Sequence, residues 1–294
     1  MLTIFAIPRS FAGVTGTVQR NAIESWRRLS PACEVVLYGD DAGVAEAARE
    51  LGVRYEPVIR RTSLGTPLLD GVFEHIEATA RHPLLCYVNA DVILLQEFLA
   101  AVTSIRASRY LMVGDRWDVD IRTPVDFSSP RWADALRDEA HRTGCRQPPW
   151  GSDYFVFPRG AIGRVPPFAV GRPRWDNWMI YNARMRGLPV FDSSAVVTAI
   201  HPAHDDSHWP RATDGSIPEQ RLNEALFGSR HFYTLAAATH VITARGPRPA
   251  LTLPHLGCRI KHVVRYLIPE ALGGHPRARA RRERGAEVST VPGV

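Results

Sequence analysis

The groups in this chain best suited to chemistry are Asp91, Asp176 and His201, far apart in sequence and each at the edge of an apolar or aromatic stretch. Asp91 closes the tripeptide Asn89, Ala90, Asp91, which interrupts the run LLCYVNADVILL of residues 84–95. A run rich in Leu, Val and Ile predicts a strand buried on both faces, so the acid falls where a core strand ends. Ligands of open α/β sheets bind outside the carboxyl ends of strands, and a carboxylate there faces a crevice. On extended backbone Asn89 points the same way as Asp91, so two oxygen-bearing side chains could meet one hard cation, or a ribose and a pyrophosphate.

Asp176 sits in the segment WDNW, residues 175–178, where a helical pattern starts. Its ordinary reading is a helix N-cap, worth about 1 kcal/mol. His201 opens HPAHDDSH, in which His201, His204, Asp205 and His208 follow a β-branched run. Such a cluster is either a solvated polar turn or a set of ligands for a hydrolytic zinc ion.

These groups need a frame. Residues 2–7 predict a strand, followed by a loop and a helix near Thr17 with Val18, Ala22, Trp26 and Leu29 on one face. Residues 34–38 predict a second strand, and Asp41 is suited to cap the alanine-rich helix that Gly52 ends. Thr66 and Pro67 predict a helix start, with Leu69, Phe73, Ile76 and Ala80 as its apolar stripe. Residues 96–105 predict a helix and 110–114 a strand. From 115 to 152 periodicity fades into a loop-rich insert, with a polar helix around Ala133 to His141, of the kind that shapes a site. Residues 154–157 then predict a strand, 175–186 a helix and 196–200 a strand. Alternation of this kind predicts an α/β fold with right-handed βαβ units.

The totals agree with a globular protein. Hydrophobic residues make up 45% and charged residues 22% of the 294, which excludes wholesale disorder. No apolar run approaches the roughly 18 residues that a membrane span needs. The four cysteines, Cys33, Cys86, Cys145 and Cys258, form neither a disulfide framework nor a CxxC zinc pattern. The apolar start lacks a basic region and a cleavage pattern, so the expected location is cytoplasmic. A net charge of +6 is partly a tail property, since five arginines crowd residues 277–284. No basic and aromatic stripe accompanies it, and nucleic acid is not an expected partner.

Taken together, Phe5 to Arg9, Asn89-Ala90-Asp91, Trp175-Asp176-Asn177-Trp178 and His201 resemble, in order, the motifs of the GT-A nucleotide-diphospho-sugar transferases, broadly like the family 2 glycosyltransferases. The resemblance covers residues 1–243. It implies a Rossmann-like GT-A fold, with a mostly parallel central sheet flanked by helices, that moves a sugar from a nucleotide-diphosphate donor to a hydroxyl of a carbohydrate or other acceptor. Asp176 would be the catalytic base of an inverting reaction. Ile7, Arg9, Gln19, Arg20, Asp40, Asn89, Ala90 and Asp91 would meet the donor. Asp153, Trp175, Asn177 and Trp178 would meet acceptor or sugar, the tryptophans as walls. A Mn2+ or Mg2+ ion would lie on Asp91 with His201, or His204 in reserve, and an imidazole ligand tilts the choice toward manganese. The chain departs from the pattern at Asn89, where the family has an acid: an amide oxygen coordinates without bringing charge.

Residues 1–244 are thus expected to form the glycosyltransferase-like domain and 245–294 a basic, partly disordered extension able to contact an anionic membrane peripherally. Two other readings stay open: a non-catalytic nucleotide-sugar or glycan-binding module, and a metal-dependent hydrolase built on the histidine cluster.

Overall fold

Side chains alternate across each strand of the central sheet, and this alternation sorts the apolar residues into two cores, one on each face. The computed structural model describes residues 1–29, 33–203, 218–228 and 233–264. Its elements begin β1 (Leu2–Ala6), α1 (Gly13–Arg27), β2 (Glu34–Tyr38), α2 (Val44–Glu50), β3 (Arg54–Glu56), α3 (Leu69–Thr79), β4 (Leu84–Val88) and α4 (Glu97–Ser104). There follow β5 (Leu111–Val113), β6 (Trp117–Val119), α5 (Trp132–Thr143), β7 (Cys145–Arg146), β8 (Tyr154–Pro158), α6 (Trp175–Met185) and β9 (Val190–Asp192). The last are β10 (Ile200–Pro202), α7 (Pro218–Phe227), β11 (His240–Thr243), β12 (Gly246–Pro249) and α8 (Leu253–His262).

Nine strands form one sheet in the order β12-β11-β9-β5-β8-β4-β1-β2-β3. The sheet is mostly parallel, as expected. The exceptions are β8, which runs antiparallel between β4 and β5, and the β11–β12 hairpin. Ile4, Leu37, Cys86, Met112 and Val156 face one core with Ile23 and Trp26 of α1 and Phe98 of α4. Phe5, Val36, Tyr87, Val113 and Phe155 face the other with Phe73 of α3 and Trp175 and Trp178 of α6. The result is a mixed α/β fold with a central sheet flanked by helices.

The order of strand addition reverses at β1: the parallel strands β2 and β3 lie to one side and β4 to the other, a switch point of the kind at which ligands bind beyond the strands' carboxyl ends. Because β8 is antiparallel, the residues entering it also face that edge.

Several expected details differ. Within the weakly periodic stretch 115–152 the expected helix is α5, but it is flanked by the unexpected strands β6 and β7, which with β10 build a second sheet in the order β10-β6-β7. Strands of two or three residues leave no readable alternation. For the same reason β9 escapes notice, and within the expected strand 196–200 only Ile200 is extended, at the start of β10. Asp41 does not cap α2: Gly43, with φ 82°, precedes the helix, and the Asp41 side chain pairs with Arg61. Helix α3 begins at Leu69, not beside Pro67. The boundary expected at 244/245 falls inside the β11–β12 hairpin, and α8 follows it.

Candidate functional site

The loop that carries Asp91 is clamped from two sides. After β4 the backbone does not stay extended but turns, Val92 N–H donating to Asn89 O at 3.1 Å. From one side Trp26, fully buried, donates its indole Nε1–H to Val92 O at 2.8 Å, and Leu94 N–H donates to Ser25 Oγ at 3.1 Å. From the other, Ile93 and Ile200 exchange N–H···O bonds of 2.8 and 3.0 Å. This second clamp fixes β10 beside the Asp91 turn, and β10 carries His201.

Strand β10 also pairs in parallel with β6, His201 opposite Asp118. The imidazole therefore lies between two acids, with Nε2 3.7 Å from Asp91 Oδ2 and Nδ1 3.3 Å from Asp118 Oδ1. Burial, the largest single influence on His201, favours the neutral ring, yet Asp91, Asp118 and Asp153 outweigh it and raise its pKa above the ordinary value. Asp118 is pushed up by burial and down more strongly by His201 and Arg116, so its carboxyl stays below the usual range. Gln147 Nε2 donates to its second oxygen at 2.6 Å.

Asp153 enters β8 directly across from the β4 end. Its Oδ1 accepts from Asn89 Nδ2 at 2.7 Å, and its Oδ2 pairs with Arg116, which also donates through Nε to Asp118 Oδ1 at 2.9 Å. This explains Asn89. A carboxylate there would confront Asp153 at hydrogen-bond distance, whereas the amide donates to it. The amide oxygen of Asn89 accepts no protein hydrogen bond among the described residues. With both its oxygens engaged by protein, Asp153 positions neighbours and does not present itself for substrate hydroxyls.

Asp176 lies in the first turn of α6, not at its cap: that place is taken by Arg174, whose φ of 93° is the one positive value at a non-glycine residue among those described. Backbone strain of this kind costs of order 1–3 kcal/mol and persists where the surroundings force it. Burial raises the Asp176 carboxyl to about 6. Backbone N–H groups at the helix start resist the rise and the charge of Asp153 adds to it. Its Oδ1 is shielded from solvent and has no hydrogen-bond partner among the described residues. A carboxylate with a pKa of about 6 is matched to taking a proton near neutral pH.

The remaining expected residues divide by position. Arg9 is exposed beside β1, and its backbone N–H and C=O are both held by Gln19, at 2.7 and 3.0 Å. Gln19 is thus a buried clamp for the loop, not a ligand group. Arg20 is turned away, bound to Glu50 at 2.6 Å with its guanidinium over Phe11. Asp40 after β2 is tied to Arg61 at 2.5 Å. Ile7 and Ala90 are buried, so their side chains are not open to a ligand.

Trp175 and Trp178 do not wall a site. Trp175 packs edge-on against Tyr87 at 5.0 Å and Trp178 against Phe168 at 5.5 Å, both within the core. Asn177 is buried and donates to Tyr233 O at 3.0 Å, a structural bond. His204, Asp205 and His208 lie outside the described residues.

Sequence reasoning missed Arg116 and Asp118, and with them Asp115 and Arg146, which pair at 2.7 Å at the end of β5. The available signal was GDRWDVD, residues 114–120, acids alternating directly after a strand. Gly114 is needed there: a Cβ would fall 1.9 Å from the Tyr154 hydroxyl.

No group of three or more metal-ligating side chains lies close enough to hold an ion by itself among the described residues. Asp91 and His201 nevertheless suit a cation that takes its other ligands from phosphates, as Mg2+ and Mn2+ do. The carboxylate of Asp118 behind the far nitrogen of His201 is the partner that orients an imidazole ligand.

No protein-family model matches this chain, and no curated protein matches it. Several solved structures are similar to it in fold. One is glucosyl-3-phosphoglycerate synthase from Mycobacterium tuberculosis with Mg2+ and uridine diphosphate: 13% identity, 77% of each chain covered, TM-score 0.47. Another is a mannosyltransferase from Pyrobaculum calidifontis with GDP-Man and Mn2+: 13% identity, 99% of this chain and 75% of that one, TM-score 0.46. A third is S. aureus TarS with UDP-GlcNAc: 11% identity, 77% of this chain and 65% of that one, TM-score 0.49.

Proposed function

We propose that this protein is a GT-A type glycosyltransferase that transfers a sugar, with inversion, from a nucleoside-diphosphate donor to a hydroxyl acceptor. What carries the reading is one observation: Asp91, Asp153, Asp118 and His201, drawn from four separated segments, converge at the carboxyl edge of the sheet next to the reversal around β1, where Asp153 also acts on the charge of Asp176.

In this reading Asp176 accepts the acceptor hydroxyl's proton as that oxygen attacks the anomeric carbon, while the bond to the diphosphate breaks on the opposite side. The burial that raises its pKa also keeps the base near the pH at which it must work. Asp91 and His201 would hold a divalent cation, manganese in preference because of the imidazole, which neutralises charge on the departing diphosphate. Asp118 orients His201, and Asn89 and Arg116 fix Asp153. Gln19, by holding both backbone polar groups of Arg9, fixes the loop after β1, which would lie beside the nucleotide.

The test is transfer or hydrolysis of labelled nucleotide sugars by the full chain with Mn2+, set against thermal stabilisation by the same compounds. Turnover abolished by Asp91→Asn supports the transferase. Stabilisation by a nucleotide sugar without any turnover across a panel of acceptors turns the reading into that of a binding module.

A further inference from the structure

Helix α8 is seated with its polar side down. On a helical wheel Leu253, Leu256, Ile260, Val263 and Val264 fall within an arc of roughly 100°. All five are exposed, Leu253 at 84% and Ile260 at 64%, and Leu251 is exposed just before them. The opposite side carries His255, Cys258, Arg259 and His262, and this is the side that meets the protein. His262, only 7% exposed, has Nδ1 3.2 Å from the Tyr233 hydroxyl, and Arg259 Nη2 donates to Thr239 O at 2.6 Å. An ordinary surface helix does the reverse, burying its apolar stripe and wetting its polar one. A contiguous apolar patch held outward marks a surface for something else.

The segment that carries it is rich in cations. Between Glu224 and Glu270 the sequence has no acidic residue, but it has Arg230, Arg245, Arg248, Arg259, Lys261 and Arg265, and five more arginines follow in residues 277–284. Arg245, Arg248 and Lys261 are exposed in the hairpin and helix.

We propose that α8 docks this protein on an anionic lipid bilayer, lying in the plane of the membrane with Leu253, Leu256, Ile260 and Val264 among the headgroups and upper acyl chains. Apolar burial and attraction of the flanking cations to anionic headgroups act together in such a contact. A second copy is a poorer occupant, since two faces flanked by the exposed cations Arg245, Arg248 and Lys261 would repel each other. The inference stands apart from the chemistry assigned to Asp176.

Co-sedimentation of the full chain with phosphatidylcholine vesicles, with and without phosphatidylglycerol, tests it. Binding is expected to the anionic vesicles and to weaken with salt, as surface attraction does. The pair Leu253→Glu with Ile260→Glu should lower that binding by roughly tenfold or more, and the neutral pair Leu253→Ser with Ile260→Ser should lower it too. Since both positions are exposed, the melting temperature should hold. The proposal fails if anionic vesicles leave the protein in the supernatant, or if both pairs bind like the unaltered chain. It fails equally if the pairs convert a dimer to monomer without changing lipid binding.

Discussion

Replacing Asp176 by Asn separates what that carboxylate costs the fold from what it does for the reaction. Its pKa rises from 3.8 to about 6 on folding, chiefly because burial disfavours the charged form. At 1.36 kcal/mol per unit that rise is on the order of 3 kcal/mol, and the residue's partial exposure trims it to about 2. The native state then holds this proton more tightly than the unfolded chain. The associated stability is fully present below about pH 3.8 and is lost as pH rises through about 6. An amide of the same shape never ionises and never suffers the loss. Urea unfolding of the two proteins should give nearly equal stability at pH 4 and an advantage of about 2 kcal/mol for the Asn variant at pH 7.5. Over the same comparison turnover should fall by about 10²–10⁴ with donor binding little changed. A variant destabilised equally at both pH values, or one with ordinary turnover, refutes the argument.

Other outcomes follow from the same geometry. Turnover by the unaltered enzyme should decline below about pH 6, as Asp176 takes up its proton, in a pH–rate profile of kcat/KM. Asn89→Asp sets a second carboxylate against Asp153 in place of a 2.7 Å hydrogen bond, and urea unfolding at pH 7 should show a loss of about 1–3 kcal/mol. Asp118→Asn removes the group behind His201 Nδ1 and should weaken Mn2+ affinity by about 10–100-fold in a titration calorimeter. Trp175→Ala should cost about 3–5 kcal/mol in denaturant unfolding, the price of a core cavity, where a solvent-lined wall would lose far less.

How much of this was legible from residues alone depends on length of element. The run at 84–95 and the amphipathic patterns of α1 and α3 are long enough for period and burial to be read, and the α/β fold and the strand-end position of Asp91 follow from them. The strands β6, β7 and β10 are too short to show a period, so the second sheet they form was invisible although it delivers His201 to Asp91. Residue type also misled where one side chain serves two purposes. Trp175 and Trp178 fit a sugar platform and a core equally well in sequence, and only their packing against Tyr87 and Phe168 separates the two. Gln19 and Arg20 sit near the right loop, but one is consumed by the backbone of Arg9 and the other by Glu50.

The charge balance of the site bears on the cation proposed for it. Asp118 and Asp153 pair with Arg116, Asp91 and Asp118 flank a protonatable His201, and the charge of Asp153 acts on the Asp176 carboxyl. Burial favours the neutral ring of His201, but the charges of Asp91, Asp118 and Asp153 outweigh it and raise the pKa above its ordinary value. A divalent ion on Asp91 competes with that proton for the same imidazole, because only the neutral ring can coordinate. Two states of one site are therefore opposed, a protonated histidine between acids and a neutral one bound to metal. A carboxylate in place of Asn89 would strengthen the proton's hold as well as the ion's, and would do so against Asp153.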